Sequence, residues 1–299
     1  MPPQPPKGTV PIEDMRRGMS RMPVPDPEPV HHVEDKTIPG PASQLPVRIY
    51  KPQAPAGQQL SALVYYHGGG FIFGGLQSHD PMCRAVANKV PCIVVSVDYR
   101  LAPEHPFPAA VDDCLAAAEW VAANLESLGA TSGKLAVGGD SAGANLAAVT
   151  AVSARDCGGP KFAHQLLIYP VVDSSQVNGE FKYESYKECG PGTKGLLDSS
   201  DALWLTKHYL TRPEDATDPR FAVIRADHKG LPPATVITCE VDPLRDEGKA
   251  YAEKLKAAGV QVNSFHYKGT FHGFMQFPVP QAKEALEAMS AELRSAFSV

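Results

Sequence analysis

The chain has 299 residues, and its 28 Lys and Arg against 33 Asp and Glu give a formal net charge of −5. Hydrophobic residues make up 43% and charged residues 20%, which is ordinary for a globular protein and excludes disorder throughout. A mildly acidic chain lacks the clustered positive charge that nucleic acid binding requires. No apolar run reaches the ~18 residues of a membrane span, so neither nucleic acid nor a membrane is expected as a partner.

The six cysteines are scattered and form no Cys-x-x-Cys pair, and no zinc-type spacing occurs. The N-terminal sequence MPPQPPKG has no apolar stretch of the kind that secretory signals contain. We therefore expect reduced thiols in a cytoplasmic protein without a structural metal.

Proline is concentrated near the N-terminus, where it alternates at Pro23, Pro25, Pro27 and Pro29. This composition predicts an extended or polyproline-like stretch over residues 1–44, with one short helix around Ile12–Arg21. Such a stretch is either a disordered tail or an arm that lies over another part of the molecule, and we interpret it as an arm.

From residue 45, short β-branched or aromatic runs alternate with alanine-rich stretches. The predicted strands are Val47–Lys51, Ala62–His67, Cys92–Asp98, Lys134–Gly139, Gln165–Tyr169, Ala234–Thr238 and Gln261–Tyr267. The predicted helices are about Pro81–Lys89, Ala109–Asn124, Ala142–Arg155, Arg245–Ala258 and Gln281–Phe297. Strands that are apolar on both faces are typical of parallel strands between two helix layers. The alternation predicts an α/β fold with a mostly parallel, doubly wound sheet and an antiparallel edge of early strands.

Residues 173–222 interrupt this alternation and are too long for a bare loop. Their spacing predicts a helix from Asp198 to Leu210, with an apolar stripe that packs onto the body. An insertion after the C-terminal end of a parallel strand lies on the ligand side of the sheet, so we interpret it as a lid. The predicted division is an arm (1–44), a first core part (45–172), the insertion (173–222) and a second core part (223–299).

The sequence Gly139-Asp140-Ser141-Ala142-Gly143 lies between a predicted strand and a predicted helix. A Gly-x-Ser-x-Gly motif in this context places the serine on a strained turn, with its hydroxyl above the sheet. The two glycines are expected because neighbouring backbone passes too close for a Cβ. The alternative, an ordinary serine N-cap with glycine packing, does not need this context, so Ser141 is the candidate nucleophile.

Three consecutive glycines follow another predicted strand, in His67-Gly68-Gly69-Gly70-Phe71. Such a run lets backbone N–H groups converge on an anion, as acyl transfer requires. We expect the N–H groups of Gly69, Gly70 and Ala142 to be the donors. A phosphate loop is the alternative, but neither of its glycine patterns is present. We expect His67 to shape the loop, although it could be proposed as a base.

A nucleophilic serine needs a base and an acid, and on a sheet of this topology the acid precedes the histidine. His272 follows the last predicted strand, where a loop can reach Ser141. The other downstream histidines are His164, His208, His228 and His266. Asp242 lies in the turn after a predicted strand and is the favoured acid, with an N-cap as its alternative role. Its competitors are Glu240, Asp246 and Glu247, of which the last two suit the first turn of a helix.

Taken together, these residues resemble the hormone-sensitive-lipase-like branch (family IV) of the α/β-hydrolases, the microbial carboxylesterases with a GDSAG elbow. The resemblance covers roughly residues 45–290. Its motifs are HGGGF at 67–71, DYRLAPEHPFPAA at 98–110, GDSAG at 139–143, DPLRDEG at 242–248 and HGF at 272–274.

The resemblance implies an α/β-hydrolase fold, with a mostly parallel sheet of about eight strands and a helical cap built from the arm and the insertion. It implies Ser141, Asp242 and His272 as the catalytic triad. The implied oxyanion donors are the amides of Gly69, Gly70 and Ala142, and no cofactor or metal is implied. It also implies that Asp98, Arg100 and Glu104 pair to brace the elbow.

The expected activity is that of a serine carboxylesterase, which hydrolyses short- to medium-chain esters through an acyl-enzyme. Its partner would be a small-molecule ester, and a homodimer is compatible with the resemblance. Two alternatives stay open. One is an amidase or peptidase with the same triad, and the other is a non-catalytic small-molecule receptor on the same fold, against which His272 argues.

Overall fold

Eight strands form one sheet in the computed structural model, which describes residues 10–20, 28–54, 57–173, 177, 181–193 and 195–299. The strands are β1 (His32–Pro39), β2 (Gln44–Lys51), β3 (Ala62–Tyr66), β4 (Ile93–Val97), β5 (Leu135–Asp140), β6 (His164–Ile168), β7 (Ala234–Val241) and β8 (Val262–Phe271). Their order is β1-β2-β4-β3-β5-β6-β7-β8. The β1–β2 and β2–β4 pairs are antiparallel, and all other neighbours are parallel. The predicted parallel sheet with an antiparallel edge is confirmed.

Helices cover both faces of this sheet. They are α1 (Ile12–Ser20), α2 (Asp80–Lys89), α3 (Ala109–Ala123), α4 (Leu125–Leu128), α5 (Ala142–Cys157), α6 (Glu184–Glu188), α7 (Ser199–Tyr209), α8 (Arg245–Ala257) and α9 (Pro280–Phe297). In β3, Val64 packs into the layer that includes α3, α5 and α8, whereas Leu63 packs into the layer that includes α2 and α9. Alternate side chains of one strand thus enter different cores, which explains why the strand sequence is apolar throughout.

The edge strand β1 was not predicted. Residues 32–39, which the sequence assigned to the arm, pair with β2 and form the edge of the sheet. Most of β1 is polar and exposed, with Ile38 alone fully buried in it. An edge strand of this kind has no apolar pattern to detect. The arm's helix is present as α1, whereas Arg21 and the alternating Pro23, Pro25 and Pro27 lie outside the described residues.

The helix predicted within the insertion is confirmed as α7. Its N-cap is Asp198, whose carboxylate accepts a hydrogen bond from the N–H of Asp201 at 2.9 Å. The carboxylate of Asp201 accepts one from the N–H of Asp198 at 3.0 Å in return. This reciprocal pair satisfies backbone donors that a helix start would otherwise leave free. The short α6 was not predicted, because five residues are too few to show a helical period.

The pairing expected among Asp98, Arg100 and Glu104 is not what the described residues show. Arg100 pairs instead with the buried Asp113 of α3, at 2.8 Å. Glu104 pairs with Arg16 of α1, also at 2.8 Å. These two partners lie on a core helix and on the arm, so the segment connects those elements rather than bracing the elbow.

Arg16 attaches α1 to two core loops at once. Its guanidinium donates to the carbonyl oxygens of Ile72 at 2.8 Å and Ala102 at 2.7 Å, besides binding Glu104. Ile72 follows the glycine loop closely, so the arm contacts the segment next to the candidate site.

Candidate active site

Ser141 occupies the turn between β5 and α5. Its φ of 54° and ψ of −118° lie in a region that a residue other than glycine rarely adopts. Its N–H donates to the carbonyl of Ile168 at 2.8 Å, which secures the turn to β6. A Cβ on Gly143 would lie 1.9 Å from the carbonyl oxygen of Tyr66. The predicted need for glycine is confirmed, because helix and strand backbones meet directly behind the serine.

Ser141, His272 and Asp242 lie together at the carboxyl edge of the sheet. His272 follows β8, and its Nε2 is 2.8 Å from the Oγ of Ser141. Asp242 follows β7, and its Oδ2 is 2.9 Å from Nδ1 of His272. The other carboxylate oxygen of Asp242 accepts a hydrogen bond from the N–H of Leu244 at 2.9 Å, and the side chain is fully buried. The sequence thus correctly predicted that these three residues come together.

The competing histidines have other partners. His164 contacts the Thr235 hydroxyl, His208 the Trp204 carbonyl, His228 the Val223 carbonyl and His266 the Thr238 hydroxyl. His67 is completely buried, and burial lowers its pKa to about 3, so its ring is neutral. The ring stacks on Tyr99 with 4.2 Å between ring centres, and its Nδ1 donates to the carbonyl of Gly68 at 2.8 Å. It therefore supports the glycine loop.

The competing acids also have other partners. The carboxylate of Glu240 accepts a hydrogen bond from the N–H of Gly269. The carboxylate of Asp246 accepts the N–H of Ser185 in α6 at 2.9 Å. Glu247 is buried against the N–H of Val172 at 2.7 Å. The first turn of α8 thus contacts the insertion through the hydrogen bond between Asp246 and Ser185. Of these four acids, Asp242 alone contacts His272.

The glycine loop leaves β3 at the same sheet edge from which β5 leads to Ser141, because these strands are parallel neighbours. Gly69 has a φ of +122°, and a Cβ there would lie 2.2 Å from the carbonyl oxygen of Phe73. The N–H groups of Ile72 and Phe73 both donate to the carbonyl of Gly69, which closes a tight turn. Only glycine fits this turn, and the loop presents backbone rather than side chains beside the serine.

Helix α7 packs over this loop. Leu205 lies so close that a Cβ on Gly70 would be 2.7 Å from its methyl carbons. The ring of Tyr209 stacks on Phe71, with 3.9 Å between ring centres. The apolar stripe predicted for this helix does pack onto the body, and it covers the glycine loop.

A polar cluster behind the glycine loop has no counterpart in the sequence-based predictions. It contains the buried Asp140 and His79 and the exposed side chain of Gln276. Asp140 lies inside the elbow motif, but the Gly-x-Ser-x-Gly pattern predicts no role for this position. His79 and Gln276 are far apart in sequence and belong to no pattern that was recognised, so no local signal connects them.

No group of three or more His, Cys, Asp and Glu side chains in the described ranges is arranged to hold a metal ion. Among the helices described, none is long and apolar enough to cross a bilayer.

Comparison with known proteins places this site in a family. A family model described as the alpha/beta hydrolase fold matches residues 63–276. Carboxylesterase NlhH of Mycobacterium tuberculosis is 43% identical over 258 residues, which cover 85% of this chain and 79% of that protein. The arylesterase of Saccharolobus solfataricus is 37% identical over 254 residues, covering 84% and 79%.

Solved structures agree with these relatives. The hyperthermophilic esterase of the archaeon Pyrobaculum calidifontis has a TM-score of 0.88 at 43% identity, covering 96% of this chain and 94% of that one. EstE1, a thermostable carboxylesterase cloned from a metagenomic library, has a TM-score of 0.89 at 40% identity, covering 96% and 98%. The chain therefore belongs to the hormone-sensitive-lipase-like branch of the α/β-hydrolase family, and it is a carboxylesterase.

Proposed function

We propose that Ser141, His272 and Asp242 are the catalytic residues of this carboxylesterase. The observation that carries the proposal is the continuous contact from Ser141 Oγ to His272 Nε2 at 2.8 Å and from His272 Nδ1 to Asp242 at 2.9 Å. Nucleophile and base within hydrogen-bond reach, with the base oriented by a third group, is the arrangement that activates a serine.

In this mechanism, His272 Nε2 takes the proton from Ser141 as Oγ attacks the carbonyl carbon of the ester. The tetrahedral intermediate then expels the alcohol, which receives that proton from His272. Water enters, gives a proton to the same nitrogen and attacks the acyl-enzyme, which releases the acid and restores Ser141. Asp242 keeps the Nδ1–H of His272 directed at itself, so that Nε2 faces the serine as the base.

The N–H groups of Gly69, Gly70 and Ala142 would hold the carbonyl oxygen as it becomes negative. Ala142 is the first residue of α5, where a helix presents free N–H groups and positive potential. Gly69 and Gly70 lie on the loop that α7 covers. Each correctly placed donor of this kind stabilises the transition state by ~2.7–4 kcal/mol.

The arm and the insertion would form a cap over the site, and the cap would restrict the acyl chain to short or medium length. Leu205 packs against Gly70, so the insertion places an apolar side chain next to the candidate oxyanion donors. Each acyl methylene that becomes buried under such a cap would gain ~0.8 kcal/mol until the chain meets a wall. We therefore expect kcat/KM to rise and then fall with acyl length, with its maximum at roughly four to eight carbons.

We also propose a cytoplasmic location, which the six free thiols support because reducing compartments keep cysteine in that form. Cell fractionation tests it. The homodimer stays a prediction, and sedimentation velocity tests it.

The proposal is tested with three kinds of reagent: a serine-directed fluorophosphonate, p-nitrophenyl esters of graded acyl length and a matched anilide. We expect a single adduct on Ser141, and a Ser141→Ala variant with kcat lowered ~10⁴–10⁶-fold while the fold is kept. Ester hydrolysis should far exceed anilide hydrolysis, which separates a carboxylesterase from an amidase. An adduct on another residue, or full activity in Ser141→Ala, would refute the proposed role.

A further inference from the structure

Asp140 connects the nucleophile elbow to the glycine loop. Its Oδ1 accepts a hydrogen bond from the N–H of Gly68 at 3.0 Å and another from the hydroxyl of Tyr65 at 2.9 Å. The side chain is almost completely buried, and it belongs to the residue that immediately precedes Ser141. The position of the glycine loop is thus fixed by a side chain whose backbone also carries the nucleophile.

His79 contacts the same carboxylate. Its Nε2 lies 3.1 Å from Oδ1 of Asp140, and its ring is 4% exposed. His79 occupies the N-cap position of α2 but makes no capping hydrogen bond with its side chain. Its ring is directed to Asp140 instead, and Nδ1 lies 2.9 Å from the hydroxyl of Ser78. The start of α2 therefore lacks a side-chain capping hydrogen bond, because the His79 ring contacts the Asp140 carboxylate instead.

The third member, Gln276, brings in the loop that carries the base. Its side-chain amide lies 3.1 Å from Nε2 of His79. Gln276 belongs to the short 3-10 turn Phe274–Gln276, which follows His272 closely. The contacts from Gln276 to His79, from His79 to Asp140 and from Asp140 to the N–H of Gly68 therefore connect the base loop, the elbow and the glycine loop.

We propose that His79, acting through Asp140, is a positioning residue for the oxyanion hole, an inference that rests on the function proposed above. Loops rich in glycine have wide backbone freedom, so Gly69 and Gly70 cannot fix their own orientation. Oxyanion donors work only when they are already aimed at the developing charge, within about 0.5 Å. The Asp140 bond to the N–H of Gly68 fixes the peptide next to these donors, and His79 fixes Asp140.

The test compares a phenyl ester with the corresponding thionoester, in which sulfur replaces the carbonyl oxygen. Sulfur accepts hydrogen bonds weakly, so the thionoester draws less stabilisation from the oxyanion hole. In His79→Ala we expect kcat/KM for the ester to fall about tenfold or more, chiefly through kcat, and the thionoester value to fall less. The ratio of kcat/KM for the ester to kcat/KM for the thionoester should thus decrease. Active-site titration with a fluorophosphonate gives the concentration of competent enzyme.

The matched control is His164→Ala, because His164 is equally buried but contacts Thr235 in the sheet, away from the glycine loop. We expect it to lower stability and leave the ratio unchanged. His79→Gln keeps an N–H that can reach Asp140 and should restore part of the ratio. If His79→Ala does not fold, His79→Gln decides the question, because it should still show a smaller decrease of the same sign.

The proposal is overturned if the ratio in the His79 variants equals that of the unmodified protein, whatever the loss of total activity. If Ser141→Ala hydrolyses the phenyl ester as fast as the unmodified protein, the proposed function itself fails. The two failures are therefore distinct.

Discussion

Glu247 makes the stability of this protein depend on pH in a way that one substitution removes. Its carboxyl is completely buried, and burial raises its pKa from 4.5 to about 8. It accepts the N–H of Val172 at 2.7 Å and lies 2.8 Å from the hydroxyl of Tyr186 in α6. We predict that Glu247→Gln stabilises the protein at alkaline pH and leaves it little changed at acidic pH.

The magnitude follows from the two pKa values. Below 4.5 the carboxyl is protonated in both the folded and the unfolded chain, so its full contribution is present. Between 4.5 and about 8 the folded chain holds a proton that the unfolded chain has lost, so the free energy of unfolding falls by ~1.4 kcal/mol per pH unit. The total loss is therefore about 5 kcal/mol, complete above the folded-state pKa. Glutamine keeps the shape and the acceptor oxygen but does not titrate.

Urea unfolding of both proteins, monitored by far-ultraviolet circular dichroism from about pH 5 to pH 9, measures the difference directly. Other titrating groups are common to both proteins and cancel in the difference. We expect the urea midpoint of Glu247→Gln to move above that of the unmodified protein progressively as the pH rises. A difference that is constant across this range would refute the reasoning.

Two further predictions concern the acid and the elbow. Asp242→Asn should lower kcat by ~10⁴-fold, because it favours the wrong tautomer of His272. Asp246→Asn should keep most of the activity, because that carboxylate accepts a hydrogen bond from the N–H of Ser185 and does not contact His272. Steady-state rates on a short ester measure both variants, and the reverse result would exchange the two roles. Gly143→Ala should abolish activity and lower the melting temperature, because its Cβ would lie 1.9 Å from a backbone oxygen, whereas Gly18→Ala, where nothing lies within 4 Å, should do neither. Calorimetry and a rate assay check this pair, and a native-like Gly143→Ala would contradict it.

The parts of the site that were predictable are those written as contiguous residues. Ser141 and the glycines at 69 and 70 each lie in a turn between a strand and a following segment. Such a turn requires particular residue types at a few adjacent positions, which can be recognised in the sequence. His272 and Asp242 were found by chain order and by their position after strands. The topology of the sheet then brings them to one edge, since the carboxyl ends of parallel strands meet there.

What could not be predicted depends on contacts between distant segments. His79 and Gln276 meet only because α2 and the turn after β8 converge behind the glycine loop. The strand β1 is held by pairing with β2 along one side, and its exposed residues carry no apolar period. The partners of Arg100 and Glu104 were also misjudged, because charged residues near a motif do not disclose which distant element approaches them.

The attachment of Arg16 has a consequence for how the molecule comes apart. Its contacts to Ile72 and Glu104 join residues 56 and 88 positions apart along the chain. Closing such long loops costs conformational entropy. The half-exposed α1 buries little surface that could offset this cost. Helix α1 therefore belongs to the part of the structure that opens at low free energy, before the sheet does. Because one guanidinium connects this helix to the segment beside the glycine loop, gentle heating would loosen the site while the core stays folded, and loss of activity would precede loss of structure.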